Sequence, residues 1–351
     1  MALEVDIEKT AGSFHLQTAF SCGNGVMGIL GESGSGKSMT LKCIAGIEKP
    51  DRGRIVLDDR VLFDSERRIC LSPQKRGVGY LFQNYALFPN MSVRENILCG
   101  CRFIKDQEAR NKEAERMLEL MKLGEVSALR PHQLSGGQAQ RTALGRILVN
   151  RPDILMLDEP FSALDMHLRL KLQLELKSLL EKVGKPVIMV THDRDEAFRM
   201  CDTIGVMKNG RMQAVKNTGE LFDNPGSIEA AQINGCKNIA DAVKTGDREV
   251  FVPSWNIHLK TEKPVKDSLC AVGIRAHYFY PQEKQNSFRI KLIREMEEPF
   301  EWVSEFRYEG QDEASPALWW RYPKDARPET MPKCLGVSPE NVLLLIYNGG
   351  F

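Results

Sequence analysis

The chain has 351 residues, 42% hydrophobic and 27% charged, the balance of a soluble globular protein long enough for two domains. Its 48 basic and 47 acidic residues leave a net charge of +1, so bulk charge makes no case for a nucleic-acid partner. Nine scattered cysteines with no CxxC pair point to reduced thiols in a cytosol, and away from disulfides or zinc.

In chain order, residues 1–9 alternate charged and apolar and carry no signal-peptide pattern. Residues 3–7 read as a strand and 15–20 as its neighbour, with Asn24-Gly25 as a turn. An apolar run, 26–30, leads into GESGSGKS at 31–38, which fits G-x-x-x-x-G-K-[ST], and a helix-compatible run follows at 39–47. In that strand–loop–helix setting Gly31, Gly34 and Gly36 let the backbone curl so that N–H groups surround a polyphosphate, with Glu32, Ser33 and Ser35 completing the loop. The helix adds its N-terminal positive end, Lys37 reaches the outer phosphates, and the Ser38 hydroxyl suits Mg²⁺. This stretch predicts binding of a nucleoside triphosphate.

Further on, residues 49–53 mark a turn, and 54–57 with 60–63 form a hairpin around Asp58-Asp59. A strand at 78–82 runs into Gln83. Helices are expected at 106–122, 134–149, 166–183 and 194–201, and strands at 154–157, 187–191 and 204–207, the last before an Asn209-Gly210 turn. Such alternation predicts an α/β fold with a largely parallel, doubly covered sheet. After residue 234 the texture becomes β-like (249–252, 255–259, 270–274, 288–293, 342–347), predicting a small all-β barrel or sandwich. The expected domains are therefore 1–235 and 236–351. The longest apolar runs, such as 154–157 and 342–347, are too short to cross a bilayer, so a membrane role has to be borrowed from a partner.

Two further stretches carry chemistry. ILMLDE at 154–159 is an apolar strand ending in two carboxylates. Asp158 is placed to hold Mg²⁺ and Glu159 to act as general base toward water; two solvated acids at a strand end are the plain alternative. Ser135-Gly136-Gly137-Gln138 opens a helix, either as an anion site at its N-terminus or simply as its cap.

Taken together, residues 1–234 resemble the ATP-binding cassette family of transporter ATPases. The resemblance rests on GESGSGKS, Gln83 after a strand, LSGGQ at 134–138, LMLDEP at 155–160 and His192 after VIMVT, in the family's order, with FSALD at 161–165. It implies a P-loop, RecA-like cassette with a helical subdomain at about 84–150 and a regulatory β-barrel-like C-terminal domain. It also implies ATP and Mg²⁺ as ligands, with Ser38, Gln83 and Asp158 at the metal. Glu159, His192 and Gln83 would be catalytic. Two copies would pack head to tail, Ser135, Gly136, Gly137 and Gln138 of one facing the nucleotide of the other, with Asp165 communicating between the sites. Polytopic permease subunits would be the direct partners, a solute-binding protein an indirect one, and the cytoplasmic face of the membrane the location. NYALFP at 84–89 would form part of the groove for a permease helix, its Tyr85, Leu87 and Phe88 either exposed for that purpose or simply packed.

Two departures from the family pattern stand out. Met39 follows Ser38 where Thr or Ser is usual, leaving a backbone contact to the α-phosphate. Ala11 stands where an adenine-stacking aromatic is expected, and Phe14 is either its substitute or core. Within the family, ICLSPQKRGVGY at 69–80, NGCKNI at 234–239 and GIRAHYF at 273–279 resemble molybdate importers, with sulfate, tungstate or another small solute as alternatives. The segment at 286–289 lacks the Ser-Ala-Arg-Asn pattern of oxyanion-binding C-terminal modules. A soluble ATPase acting on nucleic acid or ribosomes would carry paired cassettes or coiled coils, and a simple P-loop kinase would lack LSGGQ.

Overall fold

The computed structural model describes residues 2–162 and 166–347, with the side chains of Arg102, Met166, His167 and Leu168 left aside. The chain forms two compact units, Met1–Thr218 and Gly219–Phe351.

The first unit carries β1 (Leu3–Ala11), β2 (Phe14–Cys22), β3 (Val26–Leu30), α1 (Lys37–Ala45), β4 (Arg52–Leu57), β5 (Arg60–Asp64), β6 (Ile69–Cys70) and β7 (Val78–Leu81). Then come α2 (Val93–Gly100), α3 (Gln107–Leu120), α4 (Gly136–Leu148), β8 (Ile154–Asp158), α5 (Met166–Val183), β9 (Val187–Thr191), α6 (Arg194–Met200), β10 (Thr203–Lys208) and β11 (Arg211–Asn217). The eleven strands form one sheet in the order β6-β5-β4-β1-β2-β11-β10-β3-β9-β8-β7.

The β10-β3-β9-β8-β7 half is parallel throughout. The other half is built from antiparallel pairs apart from one parallel contact between β11 and β2, so the sheet is mixed where a largely parallel one was expected. The burial of the strands explains the division. β8 and β9 are buried at every residue, as parallel strands covered on both faces require. β1 buries Leu3, Val5 and Ile7 and exposes the residues between, the alternation of a sheet with one wet face. Leu41, Ile44, Ile55, Phe63, Met156 and Ile188 belong to one core that runs under both halves.

Helices α2, α3 and α4 pack together, α2 touching both others. Ser92 starts α2 with a capping box to Glu95, and Asp106 caps α3. Tyr85, one of the residues weighed for a permease groove, is buried, with its hydroxyl satisfied by donating to Pro160 O at 3.1 Å; Leu87 is half-buried and Phe88 exposed. Asp165 lies outside the described residues.

α7 (Thr218–Asp223) starts on the last residue of the first unit and otherwise belongs to the second, which continues with α8 (Ile228–Ile233). It continues through β12 (Asn238–Asp241), β13 (Val243–Gly246), β14 (Glu249–Val252), β15 (Ile257–Lys260), β16 (Leu269–Ile274), β17 (Phe288–Glu297), β18 (Glu301–Tyr308), β19 (Leu318–Pro323), β20 (Cys334–Leu335) and β21 (Val342–Ile346). These make three antiparallel sheets, β12-β16-β21, β13-β14-β15 and β19-β18-β17-β20. Trp255, Phe279, Phe306, Tyr308 and Trp320 fill its core, Phe279 and Phe306 meeting edge to face at 5.2 Å. The division falls earlier than residue 235 because α8 belongs here: Ala231 packs with Ala271, Leu343 and Leu345. Among the described residues no helix is long and apolar enough to cross a membrane.

Candidate active site

The loop between β3 and α1 carries the site. Gly36 at its end has φ of 105°, and a Cβ there would lie 3.1 Å from the Phe14 ring and Leu16, so the turn admits only glycine. Lys37 is 4% exposed and folds back along the loop, donating to Gly31 O at 2.8 Å and Glu32 O at 2.9 Å. Burial pulls its ammonium below the ordinary lysine range, while the carboxylates of Glu159 and Asp158 pull it up. Ser35 Oγ is buried without a hydrogen-bond partner among the described groups, an orphan that a phosphate oxygen would satisfy. Glu32, Ser33 and Gly34 are exposed. The Met39 side chain packs against the core, as does the Phe14 ring beside the loop.

Across from the loop, β8 delivers its two acids. Asp158 Oδ1 accepts from Ser38 Oγ at 2.6 Å and Oδ2 from the Tyr80 hydroxyl at 2.7 Å. Glu159 follows in the left-handed region, φ 45°, a strained setting for a side chain with a Cβ and one that marks functional sites. Its amide donates to Val190 O at 3.1 Å, which fixes the turn against β9. Its carboxylate receives Gln83 Nε2 at 3.4 Å on one oxygen and lies 3.4 Å from His192 Nδ1 on the other. Gln83 comes from the end of β7 and His192 from the end of β9, so three neighbouring parallel strands converge on Glu159 at their carboxyl ends, where open α/β sheets bind ligands. An open depression of about 390 Å³ lies here, lined by Lys42, Phe82, Gln83, Asn84, Asp158 and Ser162.

Ser135 caps α4: its hydroxyl accepts from Gln138 N at 3.3 Å, and Gln138 Oε1 accepts from Ser135 N at 2.9 Å. Ser135 and Gly136 are exposed and Gly137 is buried, a Cβ on it meeting Leu172. Two residues that sequence reasoning missed border the site. Tyr80 is one. The other is Glu196 on α6, 4% exposed, with Oε1 unpartnered among the described groups. Burial, then Asp193, pushes its carboxyl up to about 7; Thr191 and Arg169 oppose that rise and Glu159 adds to it.

The group supports phosphate binding and attack by water. Buried cation, inward-facing loop and orphan hydroxyl suit a polyphosphate, and a carboxylate held by two flanking side chains suits a base. The Ser38 hydroxyl beside the Asp158 carboxylate is an all-oxygen pair, the donor type that Mg²⁺ takes while phosphate and water fill its remaining positions.

The family described as ABC transporter matches residues 17–162. The spermidine/putrescine import ATP-binding protein PotA of Methylococcus capsulatus is 45% identical over 221 residues, which cover 62% of this chain and 55% of that protein. The protein of the same name from Bacillus thuringiensis is 41% identical over 239 residues, covering 68% and 70%. Thus the chain spans little more than half the length of the first relative. A solved dimeric ATP-binding cassette in a post-hydrolysis state, bound to ADP and phosphate, superposes with a TM-score of 0.52 at 29% identity, covering 62% of this chain and 99% of that one.

Proposed function

The chain belongs to the ABC transporter family, and on that premise we propose that it is the ATP-hydrolysing subunit of an importer. The observation that carries the reading is the convergence of Gln83 and His192 on Glu159, beside Lys37, Ser38 and Asp158. The loop N–H groups, Ser35 and Lys37 hold the phosphates of ATP. Glu159 takes the proton of a water that attacks the γ-phosphorus, the bond to the bridging oxygen breaks, and ADP and phosphate leave. Gln83 and His192 hold the Glu159 carboxylate in place for that transfer. Ser38 and Asp158, with Gln83 nearby, would hold Mg²⁺, which would supply positive charge to offset the negative charge on the phosphoryl group.

Two copies work head to tail, with Ser135, Gly136, Gly137 and Gln138 of one serving the nucleotide of the other; exposure of Ser135 and Gly136 at a helix N-terminus supports this. Asp165 takes the role of linking the two sites. The first unit is the cassette and the second a regulatory β domain. The permease is a polytopic partner at the cytoplasmic face, and a solute-binding protein acts through it.

The solute is a small oxyanion, molybdate, on the resemblance of segments 69–80, 234–239 and 273–279. A polyamine is the competing reading, favoured by the names of the relatives. Uptake of labelled molybdate and labelled spermidine by cells with and without the gene separates the two. For the ATPase, Ser135→Arg chains mixed with Lys37→Ala chains are expected to recover one working site, since each lacks a different half. Mixtures as inactive as either variant alone would refute the shared site.

A further inference from the structure

We propose that Tyr80 is a positioning residue for Asp158, its hydroxyl pinning one carboxylate oxygen so that the other stays turned toward Ser38 and the metal. This rests on the reading above and extends it to a residue outside the phosphate loop and the acidic pair.

The geometry is a clasp. Asp158 is 6% exposed, and its two oxygens meet donors from different elements: Ser38 Oγ from α1 at 2.6 Å and Tyr80 OH from β7 at 2.7 Å. A carboxylate with a single donor can turn about its terminal torsion and offer either oxygen, whereas rotation here breaks both bonds. Were Ser38 to turn an oxygen lone pair to a metal, its O–H would stay free to donate to Asp158 Oδ1, and Tyr80 would hold the second oxygen so that the carboxylate plane is fixed from both sides. Tyr80 is itself held. Its ring packs against the core and lies 4.6 Å from the Phe82 ring, tilted by 47°. β7 and β8 pair in parallel with Tyr80 opposite Met156, a register that lets a ring as long as tyrosine reach the strand end.

The test uses the full chain, with Mn²⁺ as the probe. Tyr80→Phe removes one oxygen and keeps the ring. A hydrogen bond to a charged group is worth about 1.5–3 kcal/mol, so Mn²⁺ binding to the ATP-loaded protein, read by electron paramagnetic resonance, is expected to weaken by about ten-fold or more. ATP affinity in EDTA and the melting temperature should stay near wild type. Unchanged Mn²⁺ affinity overturns the proposal. So does an equal loss of metal-free ATP binding and thermal stability, which marks a merely structural tyrosine. Failure of the wild-type chain to bind Mn²⁺ with ATP overturns the ATPase reading together with it, which sets that outcome apart.

Discussion

His192 Nδ1 lies 3.4 Å from Glu159 Oε1, joining the carboxyl ends of two adjacent parallel strands. Glu159 is the more deeply placed partner, its side chain 17% exposed against 53% for His192. If Glu159 takes the proton from water, Glu159→Gln should keep ATP binding and lose about 10²–10⁴-fold in turnover. His192→Ala removes only one of the contacts that hold the carboxylate, and a bond to a charged group converts to about ten- to a hundred-fold. Phosphate release and nucleotide binding, measured on both variants, check this order. A larger loss from His192→Ala than from Glu159→Gln would reverse the roles.

Glu196 gives the chain a pH-dependent stability. Its carboxyl goes from an ordinary 4.5 to about 7 in the folded chain, so between those values the folded state binds more protons than the unfolded. The protonated form is the one that folding favours. Its contribution is therefore complete below about pH 4.5, falls as pH rises and is gone above about 7, a span worth roughly 3 kcal/mol. Asp193, Glu159 and Arg169 face the group, and Cys201 lies on its own helix end. Glu196→Gln should flatten that slope, melting with wild type near pH 5 and above it near pH 8. Parallel melting curves across the range would discard the buried acid as the cause.

The phosphate loop and the paired acids were legible because each is a local pattern whose chemistry lies within a few residues, whereas His192 entered only through the family resemblance, since its contact with Glu159 comes from a different strand. Tyr80 was not legible, since its bond to Asp158 depends on the register of strands 78 residues apart in sequence. The same limit hid Glu196, an ordinary helical acid until Arg169 and Asp193 close over it. In the second unit β14 was read to the residue, but β18 was missed. Ser304 and Glu305, neighbours that point to opposite faces, are both buried and break the apolar alternation, and Tyr322 and Arg294 from other strands satisfy them. β11 was lost similarly: its residues are mostly half-exposed, so the Asn209-Gly210 turn was visible and the returning strand was not.

Arg76 is a second buried ion, and among the described residues no carboxylate is one of its hydrogen-bond partners. The side chain is fully buried and donates to Leu71 O, Cys43 O and Ile44 O at 2.8–2.9 Å, taking carbonyls at the C-terminal end of α1. A Cβ on Gly46, φ 78°, would come within 2.5 Å of its Nε. Arg76→Ala leaves a cavity and unpaired carbonyls, at a cost of about 3–5 kcal/mol. Arg76→Lys, with a single ammonium in place of the fork, should recover only part. Urea denaturation measures both, and a loss under about 1 kcal/mol for Arg76→Ala would show that the end of α1 needs no clamp.

The place where the chain is cut should decide whether the cassette survives alone. Thr218 closes the first unit, its hydroxyl donating to Cys201 O at 2.6 Å, and α8 belongs to the second. Ala231 and Cys236 are buried, and the partners that cover them are Ala271 from β16 and Leu343 and Leu345 from β21, all beyond residue 235. A chain ending at 218 removes α8 together with those partners. One ending at 235 keeps the helix and deletes what it packs on, leaving an apolar face bare. The shorter chain is therefore expected to bind ATP and melt in one cooperative step, and the longer to associate in size-exclusion chromatography and melt broadly. If the chain ending at 235 stays monomeric while the one ending at 218 aggregates, α8 belongs functionally with the cassette.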